Sequence, residues 1–427
     1  MLSTLKDAWG IKEIRKKMVF TLMMLLVYRL GASIPVPFMD KRAIAMFFEG
    51  SSGSILDFLD MMSGGAFSSY SIFAANIYPY ITASIVMQLL TYAFPALERL
   101  SKEGEAGRKK IQQYTKYLGV ALAAVTAIGY TFGVFRTALQ STNMLQNVII
   151  ILSIVGGSQF LVWLGEQITK RGIGNGISLI IFLGIVARMP ADITRMISMA
   201  KAGDLSWIAI ILFAIFAFFV ILFVVLLNEG ERRIPVQYAK RVVGRKMYGG
   251  QNTHIPIKVS MAGVMPVIFA NSILAIPSTI VLIKGKNAGA FTNFIHRWFT
   301  TDFAQGIVII TILNIALIMF FTYFYTSLQF NTVEYSKNLQ QNGGFVPGIR
   351  PGRSTSDYLS KVVNRLVFVG GIGLAILATL PTFLSIFGKI PMKFGGTSLI
   401  IVVGVVLETL RSIEQQMLIR HYSGFLK

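Results

Sequence analysis

Trp207-Ile-Ala-Ile-Ile-Leu-Phe-Ala-Ile-Phe-Ala-Phe-Phe-Val-Ile-Leu-Phe-Val-Val-Leu-Leu227 runs without one charged, amide or hydroxyl side chain. A bilayer core about 30 Å thick takes about 20 such residues as a helix. A helix apolar on every side belongs in lipid or deep in a large core. Polar residues close both ends, Asp204 and Ser206 before it and Asn228-Glu-Gly-Glu-Arg-Arg233 after it. The stretch reads as a membrane span, and the rest of the chain is read against it.

The same ruler finds nine more spans: Met18–Ile34, Ser71–Tyr92, Tyr117–Phe135, Val148–Leu164, Ile177–Met189, Met261–Ile283, Gly306–Leu328, Val362–Phe383 and Thr397–Leu410. Composition agrees. Of 427 residues 54% are hydrophobic and 14% charged, where globular domains carry roughly 25% charged residues. Mean hydropathy is +0.64. A soluble enzyme and a disordered chain are both excluded. There is no cysteine, so disulfide, iron–sulfur and thiol chemistry are out of reach, and His254, His296 and His421 have no ligand spacing. The fold class is an all-α polytopic membrane protein of ten transmembrane helices.

The charge is lopsided, 40 Lys and Arg against 19 Asp and Glu, net +21. Alternate loops explain it. Residues 1–17, 93–116, 165–176, 228–260, 329–365 and 411–427 hold 28 of the basic residues, and the opposite loops hold 11. Basic loops stay in the cytoplasm, so both termini are expected there. Ten spans divide into five and five, residues 1–205 and 206–427. An odd number per half forces inverted orientations, the arrangement of inverted-repeat membrane proteins.

Several features break the apolar pattern. Ile55–Phe67 has helical periodicity, is too short to span, carries Asp57 and Asp60, and ends at Gly64-Gly65. It suits a surface amphipathic helix or a re-entrant segment in a cavity. Ile81 with Ile85, and Ile181 with Ile185, stand four apart on one helix face, the spacing of lipid contacts or bundle core. Ser84, Gln88 and Asn271 are polar within spans and need protein or water partners. Arg29 lies near the outer end of its span, placed to snorkel. Residues 228–260 alternate like a β-hairpin around basic residues, and Gly343–Gly352 frames Arg350 on a stiff Gly/Pro tip. Each loop suits a solvated basic surface or a docking face for a large anionic partner. No phosphate loop, metal motif, nucleophile elbow or carboxylate pair within a span occurs. Neither a catalytic role nor a bound cofactor is expected.

Matching segments run along almost the whole chain: Arg29-Leu-Gly-Ala-Ser-Ile-Pro-Val-Pro37, Pro79-Tyr-Ile-Thr-Ala-Ser-Ile85, Arg171-Gly-Ile-Gly-Asn-Gly-Ile-Ser178, Glu231-Arg-Arg-Ile-Pro-Val-Gln-Tyr238, Met261-Ala-Gly-Val-Met-Pro-Val-Ile-Phe269, Phe345-Val-Pro-Gly-Ile-Arg-Pro-Gly352 and Gly395-Gly-Thr-Ser-Leu-Ile-Ile401. In these the sequence resembles the SecY family, channel subunits of the bacterial Sec protein translocon. The resemblance implies a ten-helix clamshell around an hourglass pore in the cytoplasmic membrane. Through it unfolded secretory chains would cross and hydrophobic segments would leave sideways, driven by a partner motor or a ribosome. It implies a pore ring of Ile81, Ile85, Ile181, Ile185, Ile268 and Ile401. It implies a plug at 55–67, with Ile55, Leu56, Phe58, Leu59, Met61, Met62, Gly64 and Gly65. It puts Ser84, Gln88 and Asn271 on a lateral gate between spans two and seven. Docking would use Arg232, Arg233, Lys240, Arg241, Arg245, Lys246 and Arg350. The partners implied are SecE, SecG, the SecA ATPase, the ribosome, signal peptides, nascent chains and membrane lipid, with no sequence-specific nucleic acid.

One departure stands out. Where relatives often have Leu-Gly-Ile-Met, this chain has Ala75-Asn-Ile-Tyr78. The competing reading is a secondary transporter of small solutes, against which the lack of buried coupling carboxylates argues.

Overall fold

The computed structural model describes residues 2–40, 42–44, 46, 60, 63–140, 143–203, 206–238, 241–243, 246–248, 252–284, 289–299, 303–388 and 396–424. Ten long helices appear among them: α1 (Lys12–Ala32), α2 (Tyr78–Ala93), α3 (Glu105–Gly129), α4 (Met144–Arg171), α5 (Gly176–Ala202), α6 (Trp207–Glu229), α7 (Met265–Lys284), α8 (Ala304–Gln329), α9 (Arg353–Gly388) and α10 (Gly396–Gly424). Each covers most of one expected span. On length and hydropathy alone six described helices can cross a membrane. A seventh follows if α2 is joined to the short helix Pro95–Lys102, which turns away by 99°. α1 is held back by its basic start, Lys12-Glu-Ile-Arg-Lys-Lys17.

Local chemistry sets the ends. The Asn175 side chain caps α5, accepting from the backbone N–H groups of Ile177 (3.1 Å) and Ser178 (3.4 Å), and Ser206 caps α6. Gly203, at φ +86, closes α5 in a left-handed turn. α2 starts seven residues later than the hydropathy suggests. Residues 71–77 form turns, with Asn76 at φ +49. That left-handed angle is one that asparagine tolerates better than most side chains.

The two groups of five helices show the same neighbour relations. In the first, α2 packs on α3, α3 on α4, α4 on α5, and α1 on α4 and α5. In the second, α7 packs on α8, α8 on α9, α9 on α10, and α6 on α9 and α10. Adding five to each label of the first set yields the second. The halves meet where α2 touches α7 and where α5 touches α10.

The fold is not purely helical. β1 (Glu231–Tyr238) pairs antiparallel with β4 (Asn252–Lys258), with β2 (Arg241–Val243) and β3 (Lys246–Tyr248) paired beyond them, as the alternation in 228–260 predicts. β5 (Gly344–Phe345) adds to the other edge of β1, Gln237 opposite Phe345. The two long basic loops are therefore one structure. Ile234, Val236 and Ile257 pack on Leu359, Val362 and Val363 of α9 beneath the sheet.

Candidate functional site

Six isoleucines come from the four helices that form the two seams: Ile81 and Ile85 from α2, Ile268 from α7, Ile181 and Ile185 from α5, Ile401 from α10. All six are buried in one apolar cluster. None faces outward, so lipid contact is ruled out for the four that pattern reading left open. The cluster abuts a cavity of about 910 Å³ on the basic-loop side. That cavity is polar in part, with Glu166, Asn175, Lys258 and Arg411 in its wall. Lys258 is pushed below the usual lysine range, first by burial and then by the nearby Arg411 cation.

On the other side, residues 63–71 fold against the cluster. Gly64 (φ +66) lies so close to α5 that a Cβ there would fall 2.9 Å from the Cα of Gly184, the residue before Ile185. Three helical side chains hold this segment. The Tyr28 hydroxyl donates to Ser63 O at 3.0 Å, and Arg29 Nη1 to Gly64 O at 2.9 Å. Arg188 of α5 forms an ion pair with the fully buried Asp60 and donates to Ser68 Oγ at 3.3 Å. Arg29 therefore does not simply snorkel. Arg188, partly exposed, and the buried Asp60 are an ionic pair that sequence reasoning missed. The signal was present, a cation inside the fifth apolar run, but its partner lies over a hundred residues earlier. Of the plug positions, Gly64 and Gly65 sit at this turn; Ile55, Leu56, Phe58, Leu59, Met61 and Met62 lie outside the described residues.

At the α2–α7 seam the expected polar residues are only partly united. Gln88 Nε2 donates to Ser84 Oγ at 3.3 Å within α2. Gln88 Oε1 accepts from the Tyr325 hydroxyl of α8. Among the described residues Asn271 bonds to neither, and its buried Nδ2 has no acceptor. The direct bond across the seam comes from the departure residue. The Tyr78 hydroxyl donates to Ser272 O of α7 at 2.6 Å. Tyr78 and Tyr325 are seam residues that pattern reading did not nominate.

At the basic end, Arg350 is exposed on a tip shaped by Gly348 (φ +80) and Gly352 (φ +96). Thr355 Oγ1 donates to Arg350 O at 2.9 Å and Ser336 Oγ to Gly352 O at 2.6 Å. Arg232 and Arg233 are exposed on β1, and Arg233 is paired with Glu231 at 2.7 Å. Arg241 and Lys246 lie on β2 and β3, while Lys240 and Arg245 lie outside the described residues.

A family model described as SecY matches residues 71–410. The chain belongs to the SecY family. The protein translocase subunit SecY of Vibrio cholerae is 43% identical over 431 residues, 98% of this chain and 95% of that protein. That of Aquifex aeolicus is 40% identical over 439 residues and covers all of both. A solved protein-conducting channel superposes with a TM-score of 0.64 at 18% identity, over 95% of this chain and 93% of that one. Sec61 from the canine ribosome–channel complex gives 0.64 at 19%, with the same coverage. At such identities the two structures speak for the fold alone, and they agree that it is the SecY/Sec61 fold. The SecY sequences carry the relationship along the whole length.

Proposed function

We propose that this SecY-family chain is a protein-conducting channel of a bacterial cytoplasmic membrane. Unfolded secretory polypeptides pass the isoleucine waist, and hydrophobic segments leave through the α2–α7 seam. One observation carries the reading: all four seam helices contribute isoleucine to one buried cluster beside a polar cavity. Placing a charged residue in hydrocarbon costs about 2.5–3.5 kcal/mol even on the lenient insertion scale. Hydrated funnels remove that cost except at the waist. Branched aliphatic side chains there offer ions no ligand and tend to dewet, and they yield around a strand of any sequence.

The halves 1–205 and 206–427 act as the two shells of a clamshell, and residues 55–67 as its plug. The basic loops and both termini face the cytoplasm, where the SecA motor or the ribosome docks on Arg350 and the sheet. SecE and SecG complete the assembly. The chain performs no catalysis of its own, and the energy comes from its partners.

The test exploits the absence of native cysteine. Cysteines at Ile81 and Ile185 should cross-link to a stalled secretory chain, while one at the outward-facing Ile208 should not. Equal labelling at all three sites would remove the conduit.

Two further outcomes are expected. Tyr78→Phe deletes a single hydrogen bond across the seam, and interhelical bonds of this kind are worth about 0.6–1.7 kcal/mol. An apolar residue favours insertion by about 0.3–0.6 kcal/mol. The variant should therefore accept signal sequences shorter by roughly one to six apolar residues in a vesicle translocation assay. An unchanged threshold would count against Tyr78 as a seam latch. Arg350→Glu should abolish most ATP-driven translocation while leaving the melting temperature unchanged; normal translocation would remove Arg350 from docking.

A further inference from the structure

α7 leaves the β1–β4 sheet and α8 returns to β5, so the two helices are joined at the end away from the basic loops. The joint contains a ten-residue helix, Ala290-Phe-Thr-Asn-Phe-Ile-His-Arg-Trp-Phe299. It is too short to cross a core about 30 Å thick, and it packs on both helices that it connects. Its side chains divide among three faces at helical spacing. Thr292 and Ile295 are buried against the protein. Phe291, Phe294 and Trp298 form a second face, and Asn293, His296 and Arg297 a third.

The aromatic face is not part of the core. Phe291 is 64% exposed and Phe294 55%. The rings of Phe294 and Trp298 lie 6.4 Å apart, so they form one patch. The polar face is tied down separately. Arg297 Nε donates to Gln305 Oε1 in the first turn of α8 at 3.2 Å, and the His296 ring stands edge-on to Phe303 at 5.3 Å. These contacts fix the roll of the helix, with rings on one side and Asn293 and Arg297 exposed on another. The spans on either side show what the rings adjoin. Ile276 of α7 and Val308 and Ile312 of α8 face outward, as side chains in contact with lipid do. The connecting helix therefore sits where two lipid-facing surfaces end, the level at which amphipathic aromatic rings collect.

We propose that residues 290–299 are an interfacial membrane anchor. Phe291, Phe294 and Trp298 enter the boundary between headgroups and acyl chains in the leaflet opposite the basic loops, about 5–10 Å deep. Asn293 and Arg297 stay in water. The anchor fixes the depth of the far end of α7, the helix that carries Ile268 and Ser272 at the seam. The face carries rings and no charge, so it takes a bilayer surface of neutral headgroups. A soluble protein seated on the rings would have to displace the lipid that borders them. The inference does not depend on the channel reading.

The test uses the full chain, which has no native cysteine, at one copy per phosphatidylcholine nanodisc. Nitroxides are attached to Phe294→Cys and, separately, to Asn293→Cys. Each is exposed to oxygen, which concentrates in lipid, and to a water-soluble nickel chelate. The oxygen-to-chelate collision ratio should be several-fold higher at 294 than at 293. Equal ratios at the two positions, whichever reagent prevails, would overturn the proposal. Protection of position 294 from both reagents would mean that protein covers the face, and would overturn it as well. A label on Trp298→Cys reads the anchor with both phenylalanines in place. Adding Phe291→Gln and Phe294→Gln should move that label from the lipid value to the aqueous one. A lipid value that survives both substitutions would show that the packing of Thr292 and Ile295 alone sets the helix, and would refute anchoring.

Discussion

Asp60→Asn should make the resting channel leak. The Asp60 carboxylate is fully buried, ion-paired with Arg188, and accepts from the Ser68 backbone N–H at 2.7 Å. Asparagine keeps the shape and one acceptor but removes the nearer of the two carboxylates that face Arg188, leaving it only Asp192 at 4.0 Å. Breaking a buried pair by neutralising one member destabilises by about 3–5 kcal/mol, and Arg188 retains some exposure, which favours the lower end. About 3 kcal/mol is a factor of roughly 150 between the seated and released states of Asp60 and residues 63–71. The strain falls locally, because the Tyr28 and Arg29 bonds to Ser63 and Gly64 survive. Resting conductance in planar bilayers should rise, and precursors with defective signals should pass more readily. Exchanging the charges, Asp60→Arg with Arg188→Asp, should restore the seal only in part, since the Ser68 N–H would then face a cation. Wild-type conductance in a correctly folded Asp60→Asn variant would show that the pair does not hold the segment.

The helices were legible in the sequence because lipid imposes a strict rule on them. Every backbone polar group of a span must be satisfied within it, so each crossing leaves a long apolar run. α6 is the clearest case, and even the glycine-interrupted run at 362–383 becomes one continuous helix. Boundaries suffered where the chain stays buried without being helical. Residues 71–77 are as apolar as a span, yet they fold as turns behind α2. The isoleucines could be placed on helix faces from spacing alone, but not on a common cluster, because spacing does not say which face meets which helix. Family resemblance supplied that step; the structure buries all six within the large apolar cluster that both halves share. What neither route supplied were the contacts made by chance of chain path: Arg188 to Asp60, Tyr325 to Gln88, Tyr78 to the Ser272 carbonyl. Each joins residues far apart in sequence, and in two of them the partner is a backbone atom or an amide that any pattern would overlook.

The proposed isoleucine waist offers the sharper test, because seal and passage make opposite demands on it. Ile185 is fully buried in the cluster, one residue beyond the Gly184 backbone that Gly64 touches. Ile185→Leu conserves volume and polarity, which costs less than about 1.5 kcal/mol in a packed core, so salt should still be excluded. Ile185→Ser removes apolar surface and introduces a hydroxyl in the same place. An unpartnered buried hydroxyl costs about 1–3 kcal/mol. Water entering the waist relieves that penalty, so the wetted fraction should rise on the order of ten- to hundredfold. Salt efflux from vesicles should follow, while threading of an unfolded precursor continues, since a strand displaces water from the waist in either variant. The result that would separate the effects wrongly is a tight Ile185→Ser channel beside a leaky Ile185→Leu one. Packing volume, and not apolar character, would then be what closes the path.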